Sequence, residues 1–214
     1  PLGVVLIIGA SNYPLLLSGA PLFQALAAGN AVAVKPAVGA ERATTRLVQL
    51  CREAGIPEDL IAVLDSDPRA VTEALRSRVD KVVFTGSSRT GRIVAQQAAE
   101  NLVPCTLELS GCDAMIILPG ASQERVLAAV RFSLMLNGSA TCMAARRIFV
   151  PAAAVDSWLE HLEKVCQTVP KTVVSPGVVQ HCEELYRRSI AQCYRPAAIE
   201  AFAARMTGGE AQVL

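Results

Sequence analysis

The sequence has few aromatic residues, little histidine and almost no net charge. Aromatic side chains make up 4% of the chain, there are two histidines, and the formal net charge is +1. Platforms that stack nucleic-acid bases need aromatic rings, and phosphate backbones or anionic membranes attract strongly basic proteins. The seven cysteines are scattered without CxxC spacing, which argues against a zinc site or a disulfide framework. We therefore expect no nucleic-acid partner, no membrane partner and no metal.

Long apolar runs are also missing. The first one, residues 4–8, is too short to span a bilayer, and no basic segment precedes it as in a signal peptide. Together with the unpaired cysteines, this pattern predicts a cytoplasmic protein with reduced thiols.

Short β-branched runs alternate with helical patterns along the first half of the chain. Such runs are typical of strands buried on both faces of a parallel sheet, and helices of 10–15 residues between them indicate βαβ units. The predicted strands are 4–8, 31–34, 60–64, 81–84, 105–109 and 115–118, and the predicted helices are 15–28, 40–54, 67–77 and 91–101.

The pattern changes after Pro119. Helices are predicted at residues 122–136, 155–168 and 196–206 and a strand at 147–150, whereas 171–196 is ambiguous. The fold class is therefore α/β, with a parallel-sheet, Rossmann-like nucleotide-binding domain and part of an α/β catalytic domain. We place the border between residues 1–109 and residues 110–214.

Two segments carry reactive side chains. Cys142 lies in Asn137-Gly-Ser-Ala-Thr-Cys142-Met-Ala-Ala-Arg-Arg147, and Glu108 lies earlier, in Thr106-Leu-Glu108-Leu-Ser-Gly111. A thiol nucleophile and a carboxylate that activates water are the minimum needed to form and then hydrolyse a thioester. Taken alone, Cys142 could equally be a small buried apolar residue, and Glu108 a solvated strand end.

Three further segments extend the pattern. Asn12-Tyr-Pro14 and Val34-Lys35-Pro36 precede Phe84-Thr-Gly86-Ser87, and all of these, in this order, resemble the aldehyde dehydrogenase superfamily from Pro1 to about Val150. The resemblance implies oxidation of an aldehyde to a carboxylic acid through a cysteine thioester. It implies Cys142 as nucleophile, Glu108 as general base, and Asn12 with the Cys142 amide as the oxyanion site.

The same resemblance implies a nicotinamide cofactor. The residues that it assigns to cofactor binding are Lys35, Pro36, Gly86, Ser87 and Leu109. Many relatives that prefer NAD carry a carboxylate three residues after the lysine, where this chain has Val38. The cofactor is therefore expected to be NAD or NADP.

Several alternatives follow from the residues themselves. Asn12 could serve as a helix N-cap, Lys35 as a surface lysine, and the segment from Gly86 to Gly91 as an ordinary glycine-rich turn. Relatives often have Gly-Gln where this chain has Ser139-Ala140, so a catalytically silent nucleotide-binding module is the competing hypothesis.

We expect an internal portion of a longer enzyme that forms a homo-oligomer and acts on a small-molecule aldehyde.

Overall fold

The computed structural model describes residues 1–170 and the separate positions 180, 183, 184, 186–188, 197 and 200. The chain divides into two compact units, Pro1–Ser110 and Gly111–Leu214. Apart from positions 197 and 200, the predicted helix at 196–206 lies outside the described residues. The same holds for most of the ambiguous segment 171–196.

The first unit is a parallel sheet with helices between its strands, so the predicted α/β class is confirmed. A short 3-10 turn at Glu58–Leu60 precedes the third strand. The strands are β1 (Val4–Ile8), β2 (Ala31–Lys35), β3 (Ile61–Val63), β4 (Lys81–Gly86) and β5 (Cys105–Leu109), and the helices are α1 (Leu16–Ala27), α2 (Glu41–Glu53), α3 (Arg69–Arg76) and α4 (Ser88–Glu100).

The strand order is β3-β2-β1-β4-β5, with every neighbouring pair parallel. The chain moves outward from β1 in one direction through β2 and β3. It then returns to the other side of β1 for β4 and β5. In open sheets of this kind, ligands bind outside the carboxyl ends of the strands where the winding direction reverses. Here that point lies between β1 and β4.

Side chains of the central strand alternate between two cores. Val5 and Ile7 point to one face, where they pack with Leu22 of α1 and Val48 of α2. Leu6 and Ile8 point to the other face. That second core is completed by residues of β2, α3, β4 and α4, including Ala33, Val71, Leu75, Val82, Phe84 and Val94. Burial on both faces explains why the strand sequences are apolar without alternation.

The edge strand β5 differs from the expectation of a buried strand. It pairs only with β4, and its residues are half-buried or exposed, with Glu108 and Leu109 both exposed. An edge position leaves one side of the strand and part of its faces open to water, and the polar residues Thr106 and Glu108 alternate with apolar ones along β5. Glu108 is therefore exposed to water near the end of the strand, which is one of the environments that the sequence left open.

The second unit contains a βαβ arrangement. Strand β6 (Asp113–Ile116) pairs in parallel with β7 (Ala145–Phe149), with a register shift between Asp113 and Ala114. Helix α5 (Gln123–Met135) lies between them in the chain, and helix α6 (Val155–Gln167) follows β7 after a 3-10 turn at Ala152–Ala154. The predicted strand at 115–118 was thus placed about two residues too late.

Helix α5 begins and ends with recognisable signals. The Ser122 hydroxyl accepts a hydrogen bond from the Arg125 amide at 3.5 Å and so caps the N-terminus. After the helix, the chain enters a short turn at Leu136–Ser139, in which Asn137, Gly138 and Ser139 have φ values of 52°, 59° and 63°. This left-handed run delivers the chain to Cys142.

Candidate active site

The carboxyl ends of the first unit's strands bring most of the candidate residues to one edge. In the sheet register, Ile8 is level with Lys35 on one side and with Phe84 on the other. Thr85 is level with Glu108, and Gly86 with Leu109. The structure therefore gathers Lys35, Gly86, Glu108 and Leu109 at the edge where nucleotide-binding sheets hold their ligands.

Asn12 lies directly beyond the end of β1, at the reversal point of the sheet. It is half-buried in the turn between β1 and α1. The backbone there is tied to β2, because the Gly9 amide donates to the Lys35 carbonyl at 2.9 Å. A side chain at Gly9 would collide with Ser18 Oγ at 2.5 Å, so this approach of α1 to β1 needs a glycine.

Lys35 is a buried cation at the end of β2. The residue is 7% exposed, and Pro36, which follows it, is fully buried. Burial lowers the pKa of the Lys35 amine, and the carboxylates of Asp67, Glu41 and Asp65 oppose that shift. Asp65 and Asp67 are close to Lys35 because Leu64 continues β3 beside β2, with its amide donating to the Val34 carbonyl at 2.9 Å. Glu41 is instead the first residue of α2.

Asp65 and Asp67, two of the acids around Lys35, were not predicted from the sequence. Asp65-Ser-Asp67 follows β3 directly, and parallel strands end at the same edge, so the signal was available. Asp67 is itself held by Arg69, whose backbone amide and guanidinium donate to its carboxylate at 2.8–3.0 Å. The hydrogen bonds from Arg69 lower the pKa of Asp67 to about 2.

Ser87 marks the N-terminus of α4. Its hydroxyl accepts a hydrogen bond from the Thr90 amide at 3.2 Å, and its carbonyl accepts one from the Gly91 amide at 2.8 Å. The amides of Ser88 and Arg89 come earlier in the first turn, where helix geometry provides no acceptor. Amides of this kind, with the helix dipole, favour a phosphate at such an end.

Two glycines, one at the end of β4 and one in the first turn of α4, leave room for neighbouring side chains. A Cβ at Gly86 would lie 2.6 Å from Phe84 Cζ, and a Cβ at Gly91 would lie 2.4 Å from Leu109 Cδ2. Gly91 thus lets the Leu109 side chain rest against α4, which fixes the end of β5 to the start of that helix.

The donor set at this edge fits a dinucleotide. It combines an amine (Lys35), a hydroxyl (Ser87) and the first-turn amides of α4, which suits ribose hydroxyls and a pyrophosphate. The described residues include no group of three or more His, Cys, Asp or Glu side chains that could hold a metal ion. A surface cleft of about 420 Å³ lies at the opposite edge, around residues 75–80 and 101–104.

Cys142 lies in the second unit, on the loop between α5 and β7. It is exposed, whereas Thr141 before it and Ala144 after it are buried at 7% and 3% exposure. Thr141 Oγ1 donates to the Leu136 carbonyl at 3.3 Å, and the Ala145 amide donates to Ser133 Oγ of α5 at 2.8 Å. The loop is thus anchored on both sides while the thiol faces solvent.

The left-handed run before Cys142 includes Ser139, a residue type that rarely adopts a positive φ. Ser139 adopts φ 63°, which costs about 1–2 kcal/mol in a residue other than glycine. Arg146 donates from Nη1 to Ser139 Oγ at 2.9 Å and from Nη2 to the Ser139 carbonyl. Sequence reasoning missed this contact, because nothing in the pattern pairs these two residues.

The other arginine of the motif holds a different element. Arg147 donates from Nε at 3.0 Å and from Nη2 at 2.6 Å to the carbonyl of Cys112. This contact fastens β7 to the chain immediately before β6. The five cysteines within the described residues, including Cys112 and Cys142, are all free thiols.

Comparison with known proteins identifies the family. Residues 1–180 match the aldehyde dehydrogenase family. The chain belongs to the aldehyde dehydrogenase family. The resemblance seen in the sequence is thereby confirmed, and it extends beyond the residues on which it was first based.

Individual relatives agree with this assignment. The chain is 37% identical over 164 residues to 4,4'-diapolycopene aldehyde oxidase of Methylomonas sp., covering 77% of this chain and 31% of that protein. A Mycobacterium tuberculosis aldehyde dehydrogenase complexed with NAD+ superposes with a TM-score of 0.74 at 34% identity, covering 79% of this chain and 35% of that one. An NADP-dependent enzyme from E. coli gives a TM-score of 0.73 at 30% identity, covering 78% and 35%.

The chain spans about a third of the length of the curated relatives that it matches. Among the described residues, no helix has both the length and the apolar character needed to cross a bilayer.

Proposed function

We propose that the protein is part of an NAD(P)-dependent aldehyde dehydrogenase that oxidises a small-molecule aldehyde to a carboxylic acid. The observation that carries the proposal is the exposed Cys142 thiol on an anchored loop in a chain of this family. In this proposal residues 1–109 are the NAD(P)-binding domain, and residues 110–214 are part of the catalytic domain.

The first step is addition of the Cys142 thiolate to the aldehyde carbon. A carbon–sulfur bond forms, and the carbonyl π electrons move to oxygen, giving a thiohemiacetal anion. The side-chain amide of Asn12 and the backbone amide of Cys142 would donate hydrogen bonds to this oxyanion. One such donor is typically worth about 2.7–4 kcal/mol in the transition state.

The cofactor would bind at the carboxyl edge of the first unit. Lys35 would donate to the adenosine ribose, Ser87 and the first-turn amides of α4 would contact the pyrophosphate, and Pro36, Gly86 and Leu109 would line the site. When bound, the nicotinamide supplies the acceptor for the hydride that leaves the substrate carbon. Relatives bind NAD+ or depend on NADP, so either nucleotide is proposed here.

The last step is hydrolysis of the Cys142 thioester. Glu108 would take a proton from water as the water oxygen adds to the acyl carbon. Collapse of the tetrahedral adduct then breaks the carbon–sulfur bond, releases the carboxylic acid and returns the thiolate. The exposure of Glu108 supports this role, because the carboxylate of a general base must reach water. A carboxylate in this role favours a free acid as product.

The oligomeric state and the location in the cell are also proposals. A homo-oligomeric enzyme is inferred from the family resemblance. A cytoplasmic location is inferred from the unpaired cysteines, and the five in the described residues are free thiols.

The experiment assays the longer enzyme of which these residues are proposed to be part, with a panel of aldehydes and either nucleotide, following NAD(P)H and the carboxylic acid. Cys142→Ala should abolish turnover and leave nucleotide binding within about twofold of wild type. Cys166→Ala, in the half-buried part of α6, is the matched control and should retain activity. Nucleotide binding without any aldehyde-dependent NAD(P)H would support the catalytically silent module instead. Residual turnover of Cys142→Ala within tenfold of wild type would remove the thiol from the mechanism.

A further inference from the structure

A hydrogen-bonded contact joins the chain before Cys142 to the chain after it. Ser139 and Arg146 are seven positions apart and lie on either side of Cys142 in the chain. One guanidinium donates to both the hydroxyl and the carbonyl oxygen of Ser139. This is the fork geometry in which arginine orders two acceptors at once.

The contact falls on the least stable part of the loop. Asn137, Gly138 and Ser139 all have positive φ, and serine has no intrinsic preference for that region. Asn137 spans the turn, because its side-chain amide donates to the Ala140 carbonyl at 3.5 Å and its own carbonyl accepts from the Ala140 amide at 3.0 Å. Thr141 donates to Leu136 and Ala145 donates to Ser133 farther along the loop. The Ser139 hydroxyl and carbonyl are held by Arg146.

We propose that Arg146 is a positioning residue for Cys142: its guanidinium fixes Ser139 in the left-handed conformation and thereby sets the direction of the thiol. The inference rests on the proposed function only for its catalytic consequence. Arg146 acts through the backbone and touches no reacting atom, so its effect should appear in the chemical step and not in nucleotide affinity. A displacement of about 1 Å in a reacting group can lower a rate by about a hundredfold.

The test compares Arg146→Gln and Arg146→Lys with Arg131→Gln, which removes an exposed arginine of α5. Hydrogen exchange is followed at the Ala140 and Ala144 amides, which donate to Asn137 and Thr141 carbonyls at 3.0 and 3.2 Å. Arg146→Gln should speed their exchange about tenfold, equivalent to about 1.4 kcal/mol of local stability. Amides of β6 and those of Ile148 and Phe149 in β7 should be unaffected, and Arg131→Gln should match wild type.

Steady-state kinetics give the second readout. Arg146→Gln should lower kcat at least tenfold with an unchanged KM for the nucleotide. Arg146→Lys should not restore kcat or slow the exchange, because an ammonium group lacks the two-pronged geometry. Exchange within twofold of wild type in Arg146→Gln would overturn the proposal, as would an unchanged kcat despite faster exchange. Full rescue by Arg146→Lys would also overturn it, since charge alone would then suffice.

The two proposals fail separately. If the wild-type protein oxidises no aldehyde, the proposed function fails, and the exchange measurement alone decides whether Arg146 fixes the loop.

Discussion

The Ser87 hydroxyl accepts a hydrogen bond from the Thr90 amide at 3.2 Å and so caps helix α4 at the carboxyl edge of the sheet. The same hydroxyl donates to Thr90 Oγ1 at 3.0 Å. This one residue therefore has a structural role that is visible in the fold and a proposed role in pyrophosphate binding, and the two roles can be separated by experiment.

Ser87→Ala should lower the free energy of unfolding by about 1 kcal/mol, the usual loss for an N-cap. It should also weaken nucleotide binding about tenfold, as expected for one hydrogen bond to a charged group. Denaturant unfolding and a fluorescence titration measure the two effects.

Ser122→Ala is the matched control, because Ser122 caps α5 in the same way. It should lose similar stability and keep full nucleotide affinity. Equal loss of affinity in both variants would mean that Ser87 acts only by stabilising its helix.

Val38→Glu should shift nucleotide preference toward NAD. Val38 is 73% exposed and carries no charge to repel a 2′-phosphate, so NADP should bind the wild type within about tenfold of NAD, or 1.4 kcal/mol. Parallel titrations with both nucleotides give the ratio, and Leu50→Glu on α2 controls for the added charge.

A thousandfold preference of the wild type for NAD would contradict that expectation. The carboxylates that act on Lys35 would then be responsible, and Asp65→Asn should relax the preference.

Asp67 should contribute to acid stability. Its pKa in the folded protein is about 2 against an ordinary 3.8, so between these values the unfolded chain binds a proton that the folded chain does not. The stabilisation is therefore present above about pH 4 and is lost as the pH falls toward 2. Urea unfolding between pH 5 and 2 should show a shallower decline for Asp67→Asn than for wild type. Asp59→Asn is the control, and a decline in Asp67→Asn as steep as that of wild type would assign the effect to other groups.

The central strands and the order of elements were predictable, because the strands are continuous apolar runs and the helices between them have a clear helical pattern. Runs such as Val4–Ile8 must be buried on both faces, and helices of regular length separate them. The edge position of β5 was not predictable, because strand order depends on which strands pair. Its alternation of Thr106 and Glu108 with apolar residues is nevertheless typical of a strand with one exposed face.

The candidate site likewise contains some features that the sequence predicts and some that it does not. Lys35 ends β2 and Ser87 follows β4 directly, so local sequence places both at the carboxyl edge. The pairing of Arg146 with Ser139 depends on a left-handed turn at a serine. Propensity argues against that turn, and only the folded loop stabilises it.

The most direct test of the mechanism measures the mass of the peptide that contains Cys142 in a Glu108→Gln protein mixed with an aldehyde and NAD(P). The amide is the same size as the carboxylate but cannot accept a proton from water, so a burst of NAD(P)H should be followed by a stall. Mass spectrometry should then find one acyl group on the peptide containing Cys142, and none in Glu73→Gln, the control at an exposed glutamate of α3. Normal steady-state turnover of Glu108→Gln, or an acyl group on another residue, would contradict the account.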